Sequence, residues 1–445
     1  MRSIWRDETE NRPLSHLARR DREPSPVSSR ITRGGEELMR AYERLLNYVK
    51  IYTTSDEESK SVPTTGRQFD LARFLEKEMK EMGISDVRVD DKCYVYGTIP
   101  ATPGYEASTG IGLLAHLDTA PDFCGENVHP VIHENYDGED LPLGDSGRIL
   151  SGAQFPHLKK LVGRTLITTD GTTLLGADDK AGIAEIMTLA EKLLTGDEPH
   201  GKVAIAFTPD EEVGGGAEDL DIDAFGVPYA YTVDGGSENE MVYENFNACA
   251  ASFEINGFNI HPGDAKGTMI NAALVAVEIN SMLPSGETPR ETEMYEGFFH
   301  LTGMEGNVEK AALHYIVRDH DSAHFEVRQE MLRHIEKVIN EKYGEGTAVL
   351  TIRQQYRNMK EKLEDCMHLV DNALDVIREL GMEPDVAPIR GGTDGAQLSY
   401  RGLPCPNLGT GGYAFHGPYE HITAEGMDTM VEVLAGIVRK YLKMI

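Results

Sequence analysis

Residues 174–182 read LLGADDKAG, and apolar residues at helical spacing follow them. The apolar positions are Ile183, Ile186, Met187, Ala190, Leu193 and Leu194. Their spacing of three or four residues predicts a helix that begins near Asp178. An acceptor side chain at a helix start can cap free backbone N–H groups, so Asp178 by itself is either an N-cap or a metal ligand.

Four other acidic or histidine clusters follow apolar runs elsewhere in the chain. They contain His116 and Asp118, Glu211 and Glu212, Asp234, and His416. The runs 111–114, 203–207 and 229–233 come shortly before the first three clusters and predict parallel strands of an α/β sheet. Because ligands gather beyond the carboxyl ends of such strands, we expect all five clusters to form one site. This expectation favours the ligand role for Asp178.

The donor types in these clusters suit two zinc ions. Zinc accepts imidazole nitrogen and carboxylate oxygen, and a catalytic zinc keeps a place open for water and substrate. We predict that His116, Asp178 and Asp234 hold one ion. Asp178, Glu212 and His416 are predicted to hold the other, so that Asp178 bridges the two ions.

Two more carboxylates are predicted to act without binding metal. Asp118 lies two residues after His116, so in an extended chain both side chains point the same way and Asp118 can accept the second ring N–H. The alternative for Asp118 is a plain surface aspartate. The adjacent side chains of Glu211 and Glu212 diverge, which leaves Glu211 free to take a proton from the attacking water. The same acid can then protonate a leaving amine, so the arrangement suits hydrolysis of an amide.

Size, charge and cysteine usage narrow the class of protein. The chain has 445 residues and a formal net charge of −31. That length predicts two or three domains, and that charge argues against nucleic acid or an anionic membrane surface as partner. No apolar run approaches the ~18 to 20 residues of a membrane span. The five cysteines show no CxxC spacing, so we expect no disulfide framework and a reducing cytoplasm.

The pattern along the chain predicts four segments. Residues 1–34 are predicted to be a disordered extension, because a globular pattern begins only near residue 35. Residues 35–246 and 357–445 are predicted to be the two parts of a mixed-sheet α/β catalytic domain. Between them, residues 247–356 show the order β-α-β-β-α-β, which predicts an inserted α+β, ferredoxin-like lid domain.

Four basic residues and one glycine are candidates for substrate binding. Arg318 or Arg353 can clamp a substrate carboxylate in a bidentate pair, and Arg390 or the N–H groups around Gly392 are the alternatives. His261 can reach the same cleft if the predicted lid domain closes. Considered singly, His261 and Arg318 are more often explained by a structural role.

Longer strings carry a family resemblance that runs from about residue 35 to the end of the chain. They are TTDG at 168–171, LLGADDKAG at 174–182, FTPDEEVG at 207–214, ENFNA at 244–248 and RGGTDGAQL at 390–398. The sequence resembles the co-catalytic dizinc family that includes aminoacylases, glutamate carboxypeptidase and succinyl-diaminopimelate desuccinylase. It is most similar to the tripeptide aminopeptidases of that family. The pattern departs after His416, where GPYE at 417–420 replaces a GKHE-like run.

The resemblance implies a zinc-dependent aminopeptidase that releases the N-terminal residue of tripeptides with two zinc ions per chain. It also implies a cis peptide bond between Asp178 and Asp179, and a role for His261 in stabilising the oxyanion. The implied partners are short peptides, without nucleic acid or membrane, and a homodimer through the lid domain is one option. Cobalt or manganese in place of zinc stays open. The alternatives are a related dizinc dipeptidase, an N-acyl amino acid amidohydrolase, or a peptide-binding protein that has lost catalysis.

Overall fold

The structure is a computed structural model that describes residues 32–33 and 36–442. The chain divides after Leu38 into two compact units. In the first unit, the short strands Thr32–Arg33 and Glu36–Glu37 pair antiparallel. The predicted disordered extension over residues 1–34 lies outside the described residues, apart from residues 32 and 33. The second unit holds all the other described helices and strands.

A seven-stranded mixed sheet forms the centre of the second unit. In sheet order its strands are Met241–Val242, Asn407–Gly409, Tyr229–Gly235, Ile111–His116, Val203–Thr208, Val95–Ile99 and Ser85–Val89. The second to fifth of these strands run parallel, and the other three pair antiparallel. The carboxyl ends of the three strands predicted to carry clusters therefore lie at one edge.

Both faces of this sheet are covered, which explains the continuous apolar runs in its middle strands. Leu113 packs into a large core on one face, and the next residue, Leu114, packs into a smaller core on the other. Among the described residues, the α-helices outside the segment 247–356 are Ala41–Tyr48, Gln68–Met82, Ala177–Thr195, Ile222–Phe225, Lys360–Leu363, His368–Glu379, Asp394–Tyr400 and Ala424–Tyr441. Within the described part of the chain, no helix combines the length and the apolar character needed to cross a bilayer.

The bounds of the first two helices show how local chemistry sets helix ends. Periodicity predicts a helix over 37–51, but the observed helix is Ala41–Tyr48. It begins later because the backbone N–H of Arg40 donates to the Glu43 carboxylate at 2.8 Å, which places the helix start there. The predicted helix over 70–82 is observed as Gln68–Met82, and Gly83 ends it in the left-handed conformation with φ of 85°.

A second, four-stranded antiparallel sheet lies within residues 247–356. In sheet order its strands are Phe298–Gly306, Lys310–Asp319, Asn247–Asn256 and Ala348–Tyr356. The helices Ala272–Ser281 and Ser322–Tyr343 pack on this sheet around a separate apolar core. The observed β-α-β-β-α-β order agrees with the predicted ferredoxin-like arrangement. The domain boundaries and the movement of this part as a lid stay predictions.

Two further small sheets consist of short strands that the sequence did not predict. One sheet contains Gly412–Tyr413, His421–Thr423, Leu166–Thr168 and Val131–His133, and the strands Leu141–Leu143 and Arg148–Leu150 form a hairpin. Strands of two or three residues carry no measurable alternation of apolar and polar residues. The pairing of Leu166–Thr168 with His421–Thr423 connects the chain before Asp178 to the chain after His416.

Candidate metal centre

His116, Asp178 and Asp234 converge at the carboxyl edge of the central sheet. His116 and Asp234 lie at the ends of neighbouring parallel strands, and Asp178 lies at the start of the helix Ala177–Thr195. The Nε2 atom of His116 is 2.9 Å from Asp178 Oδ1 and 3.3 Å from Asp234 Oδ1. The peptide bond between Asp178 and Asp179 is cis, as the resemblance implied.

A second group forms on the other oxygen of Asp178. The Nε2 atom of His416 is 3.2 Å from Asp178 Oδ2 and 3.0 Å from Glu212 Oε2. The structure therefore brings the five predicted ligands into two groups of three, which share Asp178. In each group, the candidate ligand atoms lie within 4.8 Å of one another.

The buried carboxylates of the two groups are costly to ionise unless cations lie between them. Burial raises the pKa of Glu212 to about 7, helped by the neighbouring charge of Asp178. Burial likewise raises the pKa of Asp234 to about 6. Burial also opposes ionisation of Asp178, but the contacts with His116 and His416 outweigh it and hold its pKa below the usual range. Buried carboxylates that repel one another are costly unless a cation or proton compensates them.

The donor set fits two metal ions. Each group offers one imidazole nitrogen and two carboxylate oxygens, a combination that suits zinc, manganese or cobalt. The Oε1 atom of Glu212 is buried and accepts no hydrogen bond from any described residue, so a ligand to this oxygen would satisfy it.

Asp118 is fully buried next to His116 and contacts both that histidine and the two glutamates. Its carboxylate accepts the backbone N–H groups of Glu211 and Glu212, at 3.0 and 3.2 Å. The ring Nδ1–H of His116 donates to the backbone carbonyl of Asp118 at 3.0 Å, whereas the Asp118 carboxylate lies 3.4 Å away. The sequence predicted that Asp118 lies near His116. It did not predict the hydrogen bonds from Glu211 and Glu212 to Asp118, because they join residues more than ninety positions apart.

Glu211 stands beside the two ligand groups without belonging to either. It begins the short 3-10 turn Glu211–Val213, directly after the strand Val203–Thr208 and its loop. Burial raises the pKa of Glu211 well above its usual value, and the negative charge of Asp234 adds to that effect. A carboxyl group with a raised pKa next to a metal centre can both accept and return a proton near neutral pH.

Glu420 is a buried residue of this site that sequence reasoning missed. Its carboxylate accepts the backbone N–H groups of Leu175 and Gly176, at 2.7 and 2.8 Å. It also accepts the N–H of Asp178 at 3.0 Å. Glu420 therefore positions the loop that carries the shared ligand. No local pattern marks this role, since the contacts join residues about 245 positions apart.

None of the five candidate substrate-binding residues belongs to either ligand group. Arg318 is buried and donates from Nη1 to Gln355 Oε1 at 2.9 Å, beside the ring of Tyr356. Arg390 donates to the backbone carbonyls of residues 292, 294 and 296. His261 is 80% exposed, Arg353 is exposed, and Gly392 lies against the Tyr356 ring.

Comparison with known proteins places the chain in a family. A model of peptidase family M20/M25/M40 matches residues 170–440, more than half of the chain. The chain belongs to this family of peptidases. A relative named Peptidase T, from Caldanaerobacter subterraneus subsp. tengcongensis, is 51% identical over 406 residues and is covered to 99%, with 91% of this chain. This match confirms the family resemblance predicted from the sequence. The chain is a metallo-aminopeptidase.

Solved structures share the fold. Aminopeptidase PepT from Bacillus cereus has a TM-score of 0.73 at 22% identity, covering 91% of this chain and 98% of that chain. A dinuclear metal binding peptidase of the M20 family from Bacillus subtilis has a TM-score of 0.62 at 15% identity, covering 91% and 99%. These likenesses confirm the predicted α/β fold class. Family membership and the two ligand groups together define a dinuclear metal centre.

Proposed function

We propose that this chain is a zinc-dependent aminopeptidase that releases the N-terminal residue of tripeptides. The observation that carries the proposal is the pair of ligand groups that share Asp178, with Glu211 beside them and outside both. Peptidase T relatives at about half identity support the aminopeptidase class. We further propose two zinc ions per chain, a cytoplasmic location for which the five free thiols are suited, and short peptides as partners.

In this proposal, His116, Asp178 and Asp234 hold one ion, and Asp178, Glu212 and His416 hold the other. When bound, the two ions polarise the scissile carbonyl and lower the pKa of a water molecule. Side chains of the protein carry out the proton transfers and position the reacting groups.

Glu211 takes a proton from the attacking water and gives it to the leaving amine. Burial raises the pKa of Glu211 and so favours its protonated form, which helps the carboxylate to accept the proton from water before it passes that proton to the amine. Asp118 keeps Glu211 in place through the backbone N–H that it accepts at 3.0 Å. The proposal thus assigns Asp118 to positioning and Glu211 to proton transfer.

Substrate binding is proposed for residues within 247–356 and for the glycine-containing loop at 390–395. We propose that His261 stabilises the oxyanion, and that Arg318 or Arg353 holds the C-terminal carboxylate of the peptide. Arg390 and Gly392 are the alternatives for the carboxylate. A homodimer through the same region stays a prediction.

One assay separates this function from its alternatives. Purified enzyme is tested on a dipeptide, a tripeptide, a tetrapeptide and an N-acetylated tripeptide, with zinc and with a chelator. We expect zinc-dependent release of the N-terminal residue from the tripeptide above all others. Preference for the dipeptide would instead identify a dipeptidase, and preference for the acylated peptide an amidohydrolase. Binding of tripeptide without turnover in the zinc-loaded protein would identify a peptide-binding protein.

A further inference from the structure

Glu211 belongs to a short turn whose two ends are hydrogen-bonded to each other. The backbone N–H of Gly214 donates to the carbonyl of Glu211 at 2.7 Å. The backbone N–H of the next residue, Gly215, donates to the carbonyl of Asp210 at 2.8 Å. Because the turn is closed in this way, the groups that attach it to the rest of the protein also set the position of the Glu211 carboxylate.

The first part of the turn is attached by two carboxylates. The Asp210 carboxylate accepts a hydrogen bond from Nε2 of Gln68 at 2.6 Å. The Asp118 carboxylate accepts the backbone N–H of Glu211 at 3.0 Å. These contacts hold the start of the turn, so its far end needs an attachment of its own.

Gly214 lies at that far end, and Gln397 contacts it. Gly214 has a left-handed φ of 82°, and a methyl group added to its α-carbon would meet nothing within 4 Å. No side chain packs on that face, so hydrogen bonds fix the orientation of the peptide group between Gly214 and Gly215. Its N–H is the one that donates to Asp210, and its carbonyl accepts from Nε2 of Gln397 at 3.1 Å.

The helix that carries Gln397 is itself fixed against the segment that follows the turn. This helix begins at Asp394, whose carboxyl group lies so close to Gly216 that a methyl group there would come within 2.3 Å of Oδ1. Directly after the helix, Arg401 donates to the carbonyls of Ala217 and Leu220. Gln397 therefore extends from a fixed support to the end of the turn.

The exposure of this hydrogen bond separates its effect on stability from its effect on the reaction. The bond between Gln397 and Gly214 lies at the surface, where water can replace the lost partner. Its removal therefore costs little folding free energy. The rate of proton transfer is more sensitive, because a displacement of ~1 Å in a reacting group can lower a rate about 100-fold.

We propose that Gln397 positions Glu211 by holding the carbonyl of Gly214 at the end of the turn. This inference rests on the proposed function, in which Glu211 transfers the proton. Gln397 acts through the backbone of the turn and does not touch the substrate, so it is a positioning residue. Removal of such a residue lowers kcat and leaves KM and metal binding nearly unchanged.

The first test changes the donor atom of Gln397. Gln397→Ala should lower kcat for trialanine about 10-fold, with KM changed less than about twofold and the metal content of the wild type. Gln397→Glu replaces the donor by an oxygen and should lose at least as much. Gln397→Lys keeps a donor on a side chain of similar length and should stay within about threefold of the wild type.

Glu218→Gln is the matched control, because Glu218 is an exposed side chain in the segment that follows the turn. It should leave both kcat and KM unchanged. A loss of metal in Gln397→Ala, or a rise in KM that accounts for the lost activity, would overturn the proposal. Failure of Gln397→Lys to restore kcat would do so as well.

A double-mutant cycle determines whether Gln397 acts through Glu211. In the Glu211→Gln background, Gln397→Ala should lower the remaining kcat less than about twofold, because the base that Gln397 positions is already absent. Equal losses in the two backgrounds would overturn the proposal. Near-normal turnover in Glu211→Gln alone would refute the base assignment of the proposed function, and that single variant is measured before Gln397 is changed.

Hydrogen exchange gives a readout that does not depend on turnover. In the metal-loaded protein, exchange at the N–H of Gly215 should quicken at least about threefold in Gln397→Ala, because its peptide group loses the donor to its carbonyl. The melting temperature should change less than about 2 °C. Unchanged exchange would overturn the role of Gln397, whichever group serves as the base.

Discussion

The two halves of the metal centre use the same donor types on different scaffolds. In the His116 half, the histidine ends a central strand and is 2% exposed. Its backbone N–H donates to Asp179, and its ring donates to the carbonyl of Asp118. In the His416 half, the histidine lies in a loop with φ of 61° and is 45% exposed, and the Asp122 carboxylate lies 3.4 Å from its Nδ1 atom.

Two metal ligands of the same residue type can therefore differ in how firmly neighbouring groups hold them in the orientation that binds metal. Partners that orient a metal-binding histidine typically change metal affinity by about 10- to 100-fold. The His116 half has such partners from the sheet and from its own loop, and the His416 half has fewer. Of the five ligands the two halves share only Asp178, so a change at any other ligand perturbs one half directly.

The largest effect is expected from a change that leaves both halves intact. Glu211→Gln should lower kcat at least about 100-fold, because a positioned acid–base group typically contributes that much. Metal content, measured by atomic absorption, should stay that of the wild type. The matched change Glu212→Ala should lose the metal of the His416 half. Near-normal turnover in Glu211→Gln would show that the base lies elsewhere.

A change at Glu420 should weaken both halves together. Glu420→Gln keeps one oxygen for Leu175 and Gly176 but turns an amide NH2 toward the N–H of Asp178. An unsatisfied buried N–H costs about 1–3 kcal/mol, so stability should fall by about that amount in urea unfolding. Metal affinity of both halves should fall about 10-fold or more, since Asp178 is shared. A loss confined to one half would contradict the shared role.

Metal titration sharpens the comparison directly. We expect metal-free protein to bind two ions in two steps that differ at least about 10-fold in Kd, with the tighter step in the His116 half. His416→Ala should keep the tighter step in calorimetry, and His116→Ala should remove it. Loss of the tighter step in His416→Ala would reverse the ranking.

The smallest effect concerns the segment that follows His416. Burial lowers the pKa of His421 to about 4, whereas an exposed histidine titrates near ~6.5. As pH falls below ~6.5, the unfolded chain binds a proton that the folded chain does not, so the free energy of unfolding falls until about pH 4. Urea unfolding of metal-free His421→Asn should therefore lose less stability between pH 7.5 and pH 5 than the wild type does. His324→Asn, at an exposed histidine, should behave as the wild type does.

Much of the fold was predictable because its signals are local. The strand Ile111–His116 is covered on both faces, so it reads as a continuous apolar run, and the helix Ala177–Thr195 shows helical spacing. The helix Ala41–Tyr48 was predicted too long, because a single contact of Glu43 sets its start. The two- and three-residue strands around Leu166–Thr168 were missed, since their stability comes from partners distant in the chain.

The sequence by itself determined which side chains are available as ligands. His116, Glu212 and Asp234 follow neighbouring apolar strands and meet at one sheet edge, because parallel strands end together. Only the tertiary structure decided how firmly each ligand is held. The support that Glu420 gives to Asp178 and the support that Asp118 gives to Glu211 join residues 242 and 93 positions apart. Such contacts depend on how whole layers pack, which no short stretch of sequence encodes.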